Sequence, residues 1–93
     1  MTDLDRATLL DQLLTYTREE LATGVLPEEI TAAAPLLELG VLDSVRTARL
    51  LAHIRTAYGV RVPPAHMTGE HFRTLEAITD LVLSLRRSQT AAL

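Results

Sequence analysis

Residues 36–46 read LLELGVLDSVR and decide how the rest of the chain is interpreted. Gly40 breaks the apolar first part, and Asp43 directly precedes a segment with strong helical periodicity. Because aspartate is a good N-cap, the sequence predicts that a helix begins here, with Ser44 in its exposed first turn. The free backbone N–H groups and the positive end of the helix dipole favour an anion at that place. A serine hydroxyl that carries a phosphodiester would fit there.

The segment after Asp43 predicts one amphipathic helix from Ser44 to about Tyr58, with Gly59 ending it. Its core face consists of Thr47, Leu50, Leu51, Ile54 and Tyr58, which recur at helical spacing. On the opposite face, Val45 is expected to be an exposed apolar residue beside Ser44.

Two more long helices are predicted, one on each side of this segment. The first runs from about Asp3 to Ala22, with Thr2, Asp3 or Asp5 as its cap, and the last runs from Thr74 to about Arg87. Their inward-facing residues are Leu10, Leu13, Leu14, Thr17 and Leu21 in the first helix, and Leu75, Ile78, Leu81, Val82 and Leu85 in the last.

Composition agrees with a single helical domain over residues 1–93. The chain is 47% hydrophobic but only 3% aromatic, so its core consists of aliphatic side chains, which suits packed helices. A short helix is expected around residues 66–71, and the apolar connection of residues 24–42 is expected to be an ordered loop. The sequence therefore predicts an all-α bundle of four helices, three long and one short. Its core lies at about residues 3–87, and residues 88–93 form a frayed tail.

Several classes of function are disfavoured. The chain has no cysteine, which excludes disulfides and thiolate nucleophiles, and its three histidines lack metal-ligand spacing. Ser44, Asp43 and His53 are not accompanied by the motifs of a catalytic triad. We therefore expect no metal site and no catalytic residue. The absence of a signal-peptide pattern or an apolar spanning run predicts a cytoplasmic protein that does not enter membranes.

Around Asp43 and Ser44 the chain resembles the acyl and peptidyl carrier proteins. The resemblance continues through an apolar helix that ends in Tyr58-Gly59, a short apolar segment that ends at Pro63, and a final helix opened by Thr74. It implies the carrier-protein bundle, with 4′-phosphopantetheine attached to Ser44 by a transferase that uses Mg²⁺ and coenzyme A. Asp43 would cap the helix and help the transferase to recognise the site.

The resemblance also implies what such a protein does. A discrete carrier holds its cargo as a thioester on the arm and presents it to other enzymes, without catalysing a reaction itself. Its partners would be the phosphopantetheinyl transferase, a loading adenylation enzyme or acyltransferase, and downstream transfer enzymes. We expect a monomer that binds no nucleic acid.

The subtype is indicated by the spacing before the serine. Residues 39–44 read LGVLDS, which is one residue longer than the Leu-Gly-x-Asp-Ser of fatty-acid carriers. The spacing is similar to that of D-alanyl carrier proteins and other discrete aminoacyl carriers. The resemblance therefore favours an aminoacyl or acyl cargo. The arginine-rich second helix, which a cell-wall alanine carrier would not need, favours a polyketide or nonribosomal peptide pathway.

The exposed side of the second helix is a candidate docking surface, made of Leu42, Val45, Arg46, Arg49 and Ala52. Between Ser44 and Pro63 there are four arginines and no acidic residue, although the net charge of the chain is −3. Partners with acidic or apolar patches would complement this surface.

Two alternatives stay open at this point. A small helical bundle can be a protein-interaction module without a prosthetic group, because the fold does not determine the function. It can also be a helix-turn-helix DNA-binding domain whose arginines contact the phosphates, although the negative net charge speaks against this alternative.

Overall fold

The structure is a computed structural model that describes residues 5–22 and 26–91. All regular elements in these ranges are helical, and no strand occurs among them. The three α-helices are α1 (Arg6–Tyr16), α2 (Ser44–Tyr58) and α3 (Leu75–Ala91). The prediction of an all-α fold is therefore confirmed.

Shorter helical turns complete the fold. α1 continues as a π-helical turn over Thr17–Leu21, and single 3₁₀ turns lie at Pro27–Glu29 and Pro64–His66. The predicted short helix around residues 66–71 is not formed, because only the 3₁₀ turn and irregular turns occupy this region. Three of the four expected helices are thus present.

Each α-helix begins at a side-chain cap. In α1 the Asp5 carboxylate accepts a hydrogen bond of 2.7 Å from the Thr8 N–H, so Asp5 is the cap among the three candidates. Thr2 and Asp3, where this helix was predicted to begin, lie outside the described residues. In α3 the Thr74 hydroxyl accepts a hydrogen bond of 3.1 Å from the Ala77 N–H. These bonds satisfy N–H groups that have no partner within the helix.

The end of α3 differs from the prediction. Residues 88–91, expected to belong to a frayed tail, continue the helix to Ala91. The Gln89 side chain explains the difference, since it donates to the Arg61 carbonyl at 2.6 Å and accepts from the Arg61 N–H at 3.2 Å. A tertiary contact thus holds the last turn against the segment that follows α2. Residues 92–93 of the expected tail lie outside the described residues.

The core is aliphatic and draws on all three helices and on the long loop. Its members are Leu9, Leu13, Leu21, Ile30, Leu36, Val41, Leu42, Leu50, Ile54, Val60, Phe72, Leu75, Ile78, Leu81, Val82 and Leu85. The predicted face of α3 is buried throughout, whereas on α2 Leu50 and Ile54 are fully buried and Thr47, Leu51 and Tyr58 are partly buried. In α1, however, Leu9 is fully buried, whereas Leu10 and Leu14 are only partly buried. The apolar face of α1 is therefore rotated relative to the prediction.

The long connection is an ordered loop, as predicted, over the described residues 26–43. Its backbone is attached to the start of α3, because the Leu36 N–H donates to the Arg73 carbonyl at 2.9 Å and the Glu76 N–H donates to the Ala32 carbonyl at 3.1 Å. Residues 24–25 of the predicted loop lie outside the described residues. No helix in the described part of the chain is long and apolar enough to cross a membrane.

An aromatic cluster joins α1 to α2. The rings of Tyr16 and His53 are stacked, with centroids 3.8 Å apart and planes 8° from parallel. The Tyr58 hydroxyl donates a hydrogen bond of 2.8 Å to the Gln12 side chain and presents its ring edge-on to His53. Burial in this cluster lowers the pKa of His53 from its ordinary value of 6.5. The folded protein therefore favours the neutral imidazole.

The lowered pKa of His53 predicts a pH-dependent loss of stability. Its contribution is fully present above pH 6.5, the ordinary value, and is lost as the pH falls through the lower pKa of the folded state. We expect the free energy of unfolding to decrease more between pH 7.5 and pH 5 (about 1 unit above and about 1.5 units below an ordinary histidine pKa) in the wild type than in His53→Phe. The phenylalanine keeps a ring against Tyr16 and does not titrate.

Urea unfolding at a series of pH values measures this difference. Because the other two histidines and all carboxylates are common to both proteins, their titration cancels in the comparison. A difference between the two proteins that stays constant over this range would contradict the prediction.

Candidate functional site

The approach to α2 is a tight turn closed by Gly40. The Val41 N–H donates to the Leu36 carbonyl at 3.0 Å, and the Gly40 N–H donates to the Leu37 carbonyl at 3.3 Å. This is the hydrogen-bond pattern of a Schellman motif, and Gly40 has the left-handed conformation that the motif requires, with φ at +76°. Leu36 and Val41 at the two ends of the turn are both fully buried. The turn is therefore fixed to the core on both sides.

Asp43 then begins α2. Its backbone is extended, and its Oδ1 accepts a hydrogen bond of 2.8 Å from the Arg46 N–H. The Thr47 N–H donates to the Asp43 carbonyl at 2.8 Å and closes the first turn. Ser44 is thus the first helical residue, and it is exposed. At the other end, Gly59 adopts φ of +68° and ends the helix, as predicted.

Two backbone donors stay free beside the serine. The N–H groups of Ser44 and Val45 precede the first intrahelical bond, and neither has a partner in the described part of the chain. They lie at the positive end of the helix dipole, which favours an anion. The exposed hydroxyl of Ser44 and these donors together fit a phosphodiester.

Leu42 does not belong to the predicted docking surface. Only 4% of its surface is exposed, and it packs in the core. The physical reason is that the chain passes inward just before the N-cap, so Leu42 belongs to the loop that packs on the core and not to the outer side of α2. By contrast, Val45 is 69% exposed, and Arg49 and Ala52 are exposed as expected.

Arg46 has contacts that the sequence did not reveal. Its Nη1 donates a hydrogen bond of 2.8 Å to the Gly40 carbonyl and lies 3.5 Å from Oδ2 of Asp43. Only 23% of the surface of the Arg46 side chain is exposed to solvent. The guanidinium that was expected to face a partner is therefore bound to the loop of its own chain.

An apolar groove lies next to the first turn of α2. It has a volume of about 190 Å³ and is lined by Leu37, Thr47, Met67, Thr68, Gly69 and Phe72. Leu37 and Met67 are 45% and 46% exposed, which is high for large apolar side chains. Sequence reasoning missed this groove, because the loop residues that form it are far apart in the chain.

The described residues show no arrangement for metal binding. No group of three or more His, Asp or Glu side chains in this part of the chain could hold a metal ion. His66 and His71 face each other edge to face, with ring centroids 5.4 Å apart, and form a pair only.

Comparison with known proteins identifies a matching family and similar chains in solved structures. The family model described as "Phosphopantetheine attachment site" matches residues 11–82. A chain in a solved structure titled "Crystal structure of FAD-dependent dehydrogenase" is 35% identical, with a TM-score of 0.71. The match covers 76% of this chain and 99% of that chain. A search of the curated proteins found no match.

Proposed function

The chain belongs to the phosphopantetheine attachment site family, and we propose that Ser44 carries the group and that the protein presents thioester cargo to partner enzymes. Members of this family carry 4′-phosphopantetheine covalently on a serine, as carrier proteins do. The matched residues 11–82 contain a single serine, which is Ser44. This observation carries the proposal, and the exposed position of Ser44 supports it.

The residues around Ser44 fit the group. In the attachment reaction, Ser44 Oγ gives up its proton and forms a bond to phosphorus, while the bond between that phosphorus and the nucleotide half of coenzyme A breaks. The Ser44 and Val45 N–H groups are free to receive the negative phosphate oxygens. Oδ1 of Asp43 accepts from the Arg46 N–H, so we assign the removal of the Ser44 proton to the transferase and the capping role to Asp43.

The attached group supplies what the chain lacks. The sequence has no cysteine, and the arm ends in the thiol that binds the cargo as a thioester. The protein contributes position and recognition, and we propose that it is not itself an enzyme. The apolar groove next to α2 is large enough to receive apolar atoms of the arm or of a partner's side chain.

The test of this proposal is direct. The wild-type protein is incubated with a broad-specificity phosphopantetheinyl transferase, Mg²⁺ and coenzyme A, and its intact mass is measured. We expect a gain of one phosphopantetheine, which peptide fragmentation places on Ser44. If folded protein gains no mass while a known carrier in the same reaction does, the proposal is wrong and the interaction-module alternative is favoured. DNA retention that falls with added salt would instead favour the DNA-binding alternative.

For cargo and pathway, we propose an aminoacyl or acyl thioester in polyketide or nonribosomal peptide biosynthesis, loaded by an adenylation enzyme or an acyltransferase. The support for the cargo is the residue spacing LGVLDS before Ser44, which is similar to that of aminoacyl carriers, and the support for the pathway is the arginine-rich second helix, which a cell-wall alanine carrier would not need. The similar chain in the structure titled as an FAD-dependent dehydrogenase adds one candidate partner.

Partner docking is proposed for the exposed side of α2, formed by Val45, Arg49 and Ala52. The arrangement offers an apolar contact and a positive charge beside the attachment site, which suits a partner with an acidic or apolar patch. For Arg49→Glu we expect KM for the carrier to rise about five- to tenfold in loading by its own loading enzyme at low salt, because the reversed charge repels an acidic patch. The effect should shrink when salt screens the charges.

Arg87→Glu is the matched control for this prediction. Arg87 is exposed on α3 and undergoes the same charge reversal away from α2. Equal KM values for Arg49→Glu and Arg87→Glu would show that the charge on α2 has no role in recognition.

A further inference from the structure

Arg46 joins the Schellman turn at Gly40 to the first turn of α2, which contains Ser44. Its backbone N–H donates to Oδ1 of Asp43 at 2.8 Å, and its Nη1 donates to the Gly40 carbonyl at 2.8 Å. The same Nη1 lies 3.5 Å from Oδ2 of Asp43. One side chain thus contacts the residue that closes the Schellman turn and the residue that begins α2.

We propose that Arg46 is a positioning residue for Ser44: it holds the segment between Gly40 and Asp43 against the first turn of α2 and so fixes the direction of the Ser44 hydroxyl. This inference rests on the proposed function, because positioning matters only if Ser44 is modified. Residues 41–43 connect the turn to α2 through the backbone. The Arg46 guanidinium adds a second, noncovalent connection, because it contacts Gly40 before this segment and Asp43 at its end.

Stability alone does not account for this arrangement. The 3.5 Å ion pair has an Asp43 side chain that is 55% exposed, and pairs of this kind contribute little to folding. The side chains of Val41 and Leu42, which are 0% and 4% exposed, also attach the segment to the core, so loss of the Arg46 contacts should loosen the segment locally without unfolding the domain. We therefore assign the Arg46 contacts to the geometry of the attachment site rather than to the fold.

The charge of Arg46 gives a second physical reason. Modification of Ser44 places a negative phosphodiester one residue from the Asp43 carboxylate. Two like charges this close disfavour each other, and the Arg46 guanidinium next to Oδ2 of Asp43 offsets the repulsion.

The test uses Arg46→Gln and Arg46→Lys, with Arg87→Gln as the control for loss of one exposed charge. The first measurement is amide hydrogen exchange of Val41 and Leu42 in the unmodified protein. Their N–H groups donate to the Leu36 carbonyl at 3.0 and 3.4 Å. We expect exchange about tenfold faster in Arg46→Gln, no change in the middle of α3, and no change in Arg87→Gln.

The second measurement is the rate of phosphopantetheine transfer from coenzyme A to each carrier. For Arg46→Gln we expect kcat to fall about tenfold with little change in KM, because the hydroxyl is misplaced after docking. Arg46→Lys should recover part of kcat, since it retains the charge. A rise in KM with unchanged kcat would assign Arg46 to docking and overturn the proposal, as would unchanged exchange and unchanged kcat.

The two measurements separate the possible failures. If the wild type accepts no phosphopantetheine, the proposed function is wrong, while hydrogen exchange still decides whether Arg46 holds the segment. If the wild type is modified and Arg46→Gln matches it in exchange and kcat, the proposed function stands and the positioning role is wrong.

Discussion

We expect that replacing Ser44 with alanine abolishes the gain of one phosphopantetheine completely, while the protein stays folded. The loss is complete because no other serine lies within the matched residues 11–82, and alanine has no hydroxyl to form the bond to phosphorus. The fold is retained because Asp43, not Ser44, caps α2, and alanine is the best helix former. We expect the free energy of unfolding to change by less than about 0.5 kcal/mol.

Intact-protein mass spectrometry measures the first effect, and circular dichroism during urea unfolding measures the second. Ser84→Ala is the matched control, because Ser84 is exposed on α3 and lies outside the family match. This variant should be modified as fast as the wild type. A mass gain that survives in Ser44→Ala, or that disappears in Ser84→Ala, would assign the attachment to another residue.

Replacing Ile54 with alanine lowers the free energy of unfolding by about 2 to 5 kcal/mol. Ile54 is fully buried on the inner face of α2 and belongs to the core. The substitution removes three carbon atoms from that core and leaves a cavity, which adds to the loss of hydrophobic transfer energy. Since small domains have total stabilities of only about 5 to 15 kcal/mol, a large part of the folding free energy depends on this one side chain.

Urea unfolding measured for three variants tests this expectation. Ile54→Val should lose only about 0.5 to 1.5 kcal/mol. Thr56→Ala, an exposed position on the same helix, should stay within about 0.5 kcal/mol of the wild type. A loss of less than about 1 kcal/mol in Ile54→Ala would mean that α2 contributes little to the core.

The elements that the sequence predicted best are those with local signals at both ends. α2 spans Ser44–Tyr58 in the prediction and in the structure, because Asp43 supplies its N-cap and Gly59 supplies the left-handed residue after it. The start of α3 also has a local signal, because the Thr74 hydroxyl caps the N–H of Ala77 three residues later. Helical periodicity then assigns the buried side of both helices.

The features that the sequence did not predict depend on contacts between distant residues. The last turn of α3 is held by Gln89 against Arg61, which are 28 positions apart. The groove beside α2 is formed by the loop residue Leu37 and by residues 67–72. Neither contact has a periodicity or a motif that could indicate it.

In the candidate site, too, the sequence predicted the features that have a local signal and missed those that depend on how the loop packs. Ser44 and Asp43 could be selected from the motif alone, and the structure places both where the prediction expects them. Leu42 and Arg46 were assigned to the docking surface as part of the exposed side of the second helix near Ser44. The structure buries the first and binds the guanidinium of the second to the Gly40 carbonyl. Adjacency in sequence therefore does not determine exposure at a loop–helix junction.

The two sides of α2 differ in burial, and this difference matters for engineering. Leu50 and Ile54 are completely buried, whereas Val45, Arg49 and Ala52 lie on the surface. Substitutions at surface positions of a helix usually cost little stability. Residues on the outer side of α2 can therefore be substituted to change what the domain binds, while the buried inner side keeps the domain folded.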